Sequence, residues 1–106
     1  MTAVRSESLR FSLRQLEIFI AVASTGTTAE AGQVLAMSQS AVSAALKALE
    51  NNHNAELFDR IANRLVLNPT GRQLEVRARV LLEEARQLQA ELLLASPSGD
   101  LNISAS

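Results

Sequence analysis

The sequence predicts a mainly α-helical fold in which three short helices precede a two-stranded hairpin and one long helix. Hydrophobic residues make up 47% of the 106 residues but aromatic residues only 3%, so the core must be built from aliphatic side chains. Apolar residues recur at helical spacing, and a seven-residue repeat runs through the last third of the chain. These observations favour packed helices in one small domain with an appended helix.

Composition excludes several classes of protein. The chain has no cysteine, which rules out disulfides and thiolate metal sites, and its one histidine, His53, cannot hold zinc alone. The longest apolar run, residues 18–23, is far shorter than the ~20 residues of a membrane span. Residues 1–10 lack the apolar stretch of a secretion signal. We therefore expect an intracellular protein without a metal, a cofactor or a catalytic site.

The first helix is predicted to begin after Ser12, because Ser12 and Gln15 have the spacing of a capping box. Gly26 is predicted to end it. The residues predicted to form its buried stripe, with Phe19 beside them, are Leu13, Leu16, Ile20 and Ala23.

Two further helices are predicted over residues 28–36 and from Ser38 to about Asn52. Residues 27–30 read T-x-x-E, a second capping-box spacing, and Ser38 is a good N-cap for the next helix. Asn54 suits the left-handed conformation that ends a helix. The buried stripe predicted for the third helix consists of Val42, Leu46 and Leu49, and the small residues predicted where the two helices touch are Ala31, Gly32 and Ala36.

A hairpin and a long helix are predicted to follow. Residues 56–60 and 64–67 read as two short strands, with residues 61–63 as the turn and Asn63 at a positive φ angle. Asn68 and Pro69 then predict a helix start, because proline is tolerated at the first helical position. We expect this helix to run to about residue 95.

The long helix carries an apolar seam that steps alternately by four and three residues. Such a repeat is typical of helices that pair with one another, and the rest of the domain is too small to bury all of it. The seam therefore predicts dimerisation through Leu74, Ala78, Leu81, Ala85, Leu88 and Leu92.

Two helices joined by a tight turn over residues 28–47 form the helix-turn-helix pattern. The third helix carries short or amide-bearing side chains opposite its buried stripe, as a helix in the major groove of DNA requires. These candidate DNA-binding residues are Ser38, Gln39, Ser40, Ser43, Ala44 and Lys47. The same pattern also fits an Ala/Ser-rich helix packed against a neighbour, and by itself it does not decide between the two.

Arg60, Asn63 and Arg64 lie at the hairpin turn, where they are candidates for contacts with phosphate or the minor groove. Solvated surface charge is the alternative for two isolated arginines. Net charge does not help, because ten basic residues face eleven acidic ones and the pI is about 5.8.

Five blocks of the sequence together resemble the signature of LysR-type transcription regulators, in order and in spacing. The blocks are residues 13–19 (LRQLEIF), 38–43 (SQSAVS), 49–50 (LE), 57–60 (LFDR) and 68–71 (NPTG). Each block is weak alone, whereas five in register are highly specific. The resemblance covers residues 12–95.

The resemblance implies a flexible N-terminal segment (residues 1–11), a winged helix-turn-helix DNA-binding domain (12–68), a linker helix for dimerisation (69–95) and a hinge with the start of an effector-binding domain (96–106). It further implies a bacterial, cytoplasmic, nucleoid-associated regulator that binds dyad-symmetric promoter DNA as a dimer. A small-molecule effector would bind a downstream domain that this chain lacks.

The chain departs from the family pattern at several positions. Ala44 stands where many members carry arginine, so one DNA contact is expected to be missing. Thr28 replaces a usual phenylalanine, which changes the expected packing of the second helix. The rival hypothesis is a helical interaction module, in which the helix-turn-helix is only architectural and the seam binds a partner. No set of residues supports an enzyme.

Overall fold

A computed structural model of the chain describes residues 8–95. The elements, in chain order, are α1 (Leu13–Thr25), α2 (Thr28–Leu35), α3 (Gln39–Asn52), β1 (Phe58–Ile61), β2 (Arg64–Leu67) and α4 (Pro69–Leu94). The predicted fold class, three helices with a two-stranded wing and a long last helix, is confirmed. The predictions for residues 1–7 and for the hinge and strand within residues 96–106 lie outside the described residues.

All four helices begin where the sequence places an oxygen-bearing cap. At each start a side-chain oxygen accepts a hydrogen bond from the backbone N–H three residues later, which satisfies a donor that the helix itself leaves unpaired. These bonds run from Gln15 N to Ser12 Oγ, from Glu30 N to Thr27 Oγ1, from Ala41 N to Ser38 Oγ and from Gly71 N to Asn68 Oδ1, at 2.7 to 3.1 Å.

Helix α1 lies at the centre of the domain and contacts α2, α3, α4 and β2. The predicted single stripe is therefore wrong in part: Leu13 is 46% exposed, and Ile20 and Ala23 are only half-buried. A helix enclosed by several neighbours buries more than one face. The buried residues of α1 are Leu16, Ile18, Phe19, Ala21 and Val22.

The turn between α2 and α3 depends on one close backbone approach. The Met37 N–H donates to the Gly32 carbonyl over 2.8 Å, and a Cβ at Gly32 would lie 2.5 Å from the Met37 carbonyl oxygen. Ala31 is fully buried, as predicted for a contact between the helices. Ala36 is exposed instead and ends α2 with a φ angle of 58°, so its predicted packing role is wrong.

The wing is a tight antiparallel hairpin in which Ile61 pairs with Arg64. The turn between them has two residues, Ala62 and Asn63, both at positive φ angles (52° and 65°). Two left-handed residues give a turn whose twist matches that of the flanking strands. The positive φ of Asn63 is confirmed, but the predicted first strand is corrected: it begins at Phe58 and includes Ile61.

Helix α4 has its buried residues, Gly71, Ala78 and Leu82, between its start and its middle. Ala78 is fully buried and Leu82 is 4% exposed, whereas Leu88 and Leu92 are 57% and 63% exposed. Ala78 therefore packs into the chain's own core and is not available to a second chain, which corrects the predicted seam at that position. With 26 residues the helix is about 39 Å long, so its second half extends beyond the small domain.

Candidate nucleic-acid interface

The outward face of α3 is exposed along its length among residues 8–95. All six candidate residues of this face are exposed, whereas the three residues predicted to face inward are buried. The exposed residues are Ser38, Gln39, Ser40, Ser43, Ala44 and Lys47, and the buried ones are Val42, Leu46 and Leu49. The structure thus places the predicted side chains together on one surface strip, which we call the α3 strip.

The first turn of the α3 strip is held by hydrogen bonds within the chain. The Ser38 hydroxyl oxygen caps the helix and lies 3.3 Å from the Ser40 hydroxyl. The Gln39 side chain reaches across to α2, where its Nε2 donates to Thr28 Oγ1 over 3.1 Å. Thr28 did not stand out as a site residue in the sequence, because its contact partner is eleven positions away.

The side chains in the later part of the α3 strip make no polar contacts within the described residues. Within residues 8–95, the side chains of Ser43 and Lys47 have no hydrogen-bond or ion-pair partner. Ala44 adds a methyl group beside them and no bulk. A surface of this kind allows the helix backbone to come close to another molecule, with donors at both ends of the strip.

The wing and the start of α3 face a shared concavity. Its lining includes Thr28, Gln39, Ser43, Arg60 and Asn63. Across the described part of the chain, the Arg60 guanidinium has no hydrogen-bond or ion-pair partner, so its charge is available to a ligand. The concavity therefore combines one cation with amide and hydroxyl groups, which suits a phosphate backbone beside base edges.

Arg64 behaves differently from Arg60. Its guanidinium donates to the Thr25 carbonyl at the end of α1 and lies against Gly26, where a Cβ would overlap it. The next residue, Leu65, donates its N–H to the Gly26 carbonyl over 2.8 Å. Arg64 thus ties the wing to the turn between α1 and α2, which gives it a structural role that the sequence did not predict.

His53 has the helix-end role that its position suggests. Its Nδ1 donates to the Leu49 carbonyl over 2.8 Å, and its ring centroid lies 6.1 Å from that of Phe11.

Among residues 8–95 no three histidine, aspartate or glutamate side chains are grouped as metal ligands. None of the described helices is both long and apolar enough to cross a membrane.

Comparison with known proteins identifies the family. Residues 13–72 match the model of the bacterial regulatory helix-turn-helix proteins of the lysR family. The chain is 47% identical over 98 residues to the HTH-type transcriptional regulator YeiE of Escherichia coli K12; the match covers 92% of this chain and 33% of that protein. The chain thus spans about a third of the length of this curated relative.

Solved structures of two regulators share the fold. Corynebacterium glutamicum OxyR (a C206 mutant) superposes with a TM-score of 0.80 at 27% identity, covering 86% of this chain and 29% of that one. The DNA-binding domain of CbnR in complex with DNA gives 0.73 at 31% identity, covering 82% of this chain and all of that one. The relatives are transcription regulators and not enzymes, and the helix-turn-helix, the wing and the long helix of this chain superpose on the solved regulators. This chain therefore belongs to the lysR family of bacterial helix-turn-helix regulators and comprises the DNA-binding domain and the long helix that follows it.

Proposed function

We propose that this chain binds dyad-symmetric promoter DNA as a dimer in the bacterial cytoplasm, with α3 in the major groove and the wing at the flanks of each half-site. The observation that carries the proposal is the α3 strip, a row of small polar side chains that no part of the described chain covers. The structural neighbours CbnR and BenM were solved as complexes of their DNA-binding domains with DNA, which supports the same use of this surface.

The α3 strip is suited to reading base edges directly. Short side chains such as Ser43 and Ala44 let the helix backbone approach the floor of the groove, and Gln39 supplies both a donor and an acceptor. Selection of bound duplexes from a random pool tests the proposal, because a binding protein of this class enriches one dyad-symmetric sequence. Enrichment of no sequence over scrambled duplex would contradict it.

Gln39→Ala is expected to lose about 1–3 kcal/mol of discrimination at one position in each half-site, because a bidentate amide contact with a base is worth about that much. The measurement is a binding titration on operator and on duplexes substituted at each position. Gln33→Ala is the matched control, since Gln33 is exposed on α2 and its side chain has no partner among residues 8–95. An unchanged operator preference in Gln39→Ala would show that Gln39 reads no base.

Arg60→Ala is expected to weaken binding to all sequences alike and to reduce the slope of log affinity against log salt by about one, because Arg60 is assigned to a phosphate. Titrations at several salt concentrations measure both effects. Arg77→Ala is the control, because Arg77 is an exposed cation of α4 with no ion-pair partner among residues 8–95 and so matches the change in charge. A slope that falls equally in both variants would assign the effect to net charge.

Dimerisation is proposed through the part of the seam that the chain leaves exposed. Leu81, Leu88 and Leu92 are 43%, 57% and 63% exposed on one face of α4, with Ala85 between them. Leu81 also lines an apolar groove, together with Leu74 and the apolar side chains at the ends of α1 and α3. The seam and the groove thus form a continuous apolar surface, and a second copy of α4, running antiparallel, would cover it.

A second candidate, a helical module that binds another protein through α4, is favoured by the same exposed leucines. Band shifts separate the two functions, because the protein-binding module predicts no sequence-dependent shift.

In the full regulator, an effector domain after residue 95 is proposed to bind a small molecule and to act through α4.

A further inference from the structure

Thr28 occupies the first position of α2, and its hydroxyl accepts a hydrogen bond from Gln39, the amide side chain of the α3 strip. We infer that Thr28 is a positioning residue that fixes the Gln39 amide so that Gln39 prefers adenine. The inference rests on the proposed function of the α3 strip, and it adds a residue of the preceding helix to the determinants of base preference.

The contact joins two rigid points of the fold. Gln39 Nε2 donates to Thr28 Oγ1 over 3.1 Å, and each residue directly follows the capped start of its own helix. Thr28 is half-buried, whereas Gln39 is exposed, so the hydroxyl is fixed while the amide faces outward. Both side chains line the concavity that also contains Arg60, so the amide lies where the wing and α3 would meet DNA.

The chemistry of the amide determines which base edge it fits. A primary amide has two N–H donors and one oxygen acceptor, and Thr28 uses one of the donors. One donor and one acceptor remain for a base. Adenine presents the matching pair in the major groove, the N7 acceptor and the N6 donor, whereas guanine presents two acceptors, N7 and O6. With one donor held by Thr28, Gln39 matches adenine and leaves an oxygen facing O6 of guanine.

Without the hydroxyl, the terminal torsion of Gln39 is free to turn, because that torsion is broad and roughly two-fold. The amide of Gln39 is then ordered only when DNA binds, and its oxygen and nitrogen can exchange places. The expected loss of adenine preference is about three- to ten-fold, from the side-chain ordering that Thr28 no longer provides. Affinity for scrambled duplex is expected to stay unchanged, because the phosphate contacts are intact.

The test compares Thr28→Val, which keeps the β-branched shape but not the hydroxyl, with Thr28→Ser, which keeps the hydroxyl. Both are assayed with the whole chain on the selected operator and on three probes. The probes differ from the operator at one base, the one at which Gln39→Ala loses discrimination. That base is replaced by guanine in the first probe, by 7-deazaadenine in the second and by another base in the third. We expect Thr28→Val to lose preference for adenine over guanine and over 7-deazaadenine, and Thr28→Ser to retain it. Thermal unfolding confirms that both variants fold.

Three results would overturn the inference: equal preferences in Thr28→Val and the parent chain, equal losses in Thr28→Val and Thr28→Ser, or a parent preference for guanine at that position. Each of these leaves the proposed function intact. A Gln39→Ala variant with undiminished operator preference at every position instead overturns base reading by Gln39, and the role of Thr28 with it.

Discussion

Leu88→Asp is expected to convert the protein from a dimer to a monomer and to lower its affinity for a two-half-site operator by about 10²–10⁴-fold. Leu88 is 57% exposed on the half of α4 that extends past the domain, so the substitution leaves the folded core untouched. In a paired seam the new carboxylate would be buried without a partner, which is strongly unfavourable. Two linked DNA-binding domains bind a two-half-site operator more tightly than either domain alone, and this gain in affinity is lost when they separate.

Sedimentation or mass measurement at micromolar protein gives the oligomeric state, and titration on operators with one and with two half-sites gives the affinity. Ala90→Asp is the matched control, because Ala90 is exposed two residues further along the same half-helix and so places the same charge on the opposite face. Leu81 is a less suitable position, since it lines the chain's own apolar groove as well. A dimeric Leu88→Asp variant, or a monomeric parent chain, would refute dimerisation through this seam.

Local signals in the sequence were sufficient to predict the elements of the fold. Each cap requires only residues three positions apart, and the buried stripe of α3 follows from one helical period, so Ser12, Ser38 and Val42 were predicted correctly. The type of hairpin turn was harder. Ala62 at a positive φ angle carries no sequence signal, because alanine rarely adopts that conformation.

What the sequence did not reveal depends on contacts between distant residues. Leu82 is buried although it lies outside the seven-residue repeat, because α1 packs against that side of α4. Arg64 looked equivalent to Arg60 until the fold brought it to the Thr25 carbonyl, 39 positions away. The contact between Thr28 and Gln39 likewise needs the angle between two helices, which one-dimensional spacing does not give.

Ion pairs between neighbours on the same helix affect where this nearly neutral chain carries its charges. The acidic residues Glu17, Glu75 and Glu83 each pair with an arginine of their own helix, at 2.9 to 3.8 Å. Such exposed pairs contribute little to stability, but they cancel charge away from the α3 strip. Arg60 at the wing and Lys47 on α3 have no such partner among residues 8–95. Both cations line one concavity together with Glu50 and Glu56, so the charge on this face is mixed, and the exposed α3 strip rather than net charge is what favours nucleic acid here.

Gly71→Ala is expected to destabilise the domain by about 3 kcal/mol, although alanine ordinarily favours a helix over glycine. Gly71 is buried in the first turn of α4, and a Cβ there would overlap the Leu57 carbonyl oxygen and contact the Leu67 side chain at 2.8 Å. The same Leu57 carbonyl oxygen accepts a hydrogen bond from the Asn68 N–H over 3.0 Å, which joins the domain to the start of α4. A Cβ at residue 71 would therefore clash with the acceptor of this bond. Backbone atoms on both sides cannot move apart without breaking this junction.

Thermal unfolding at a fixed protein concentration measures the effect, which corresponds to a fall in Tm of roughly 15 °C for a domain of this size. Gln73→Ala is the control, because Gln73 is exposed in the same turn and alanine there brings only its helix preference. If Gly71→Ala were as stable as Gln73→Ala, the start of α4 would not be packed as tightly against Leu57 as the structure has it. A large loss in Gly71→Ala alone would instead show that the close contact between Gly71 and the Leu57 carbonyl holds the start of α4 onto the domain.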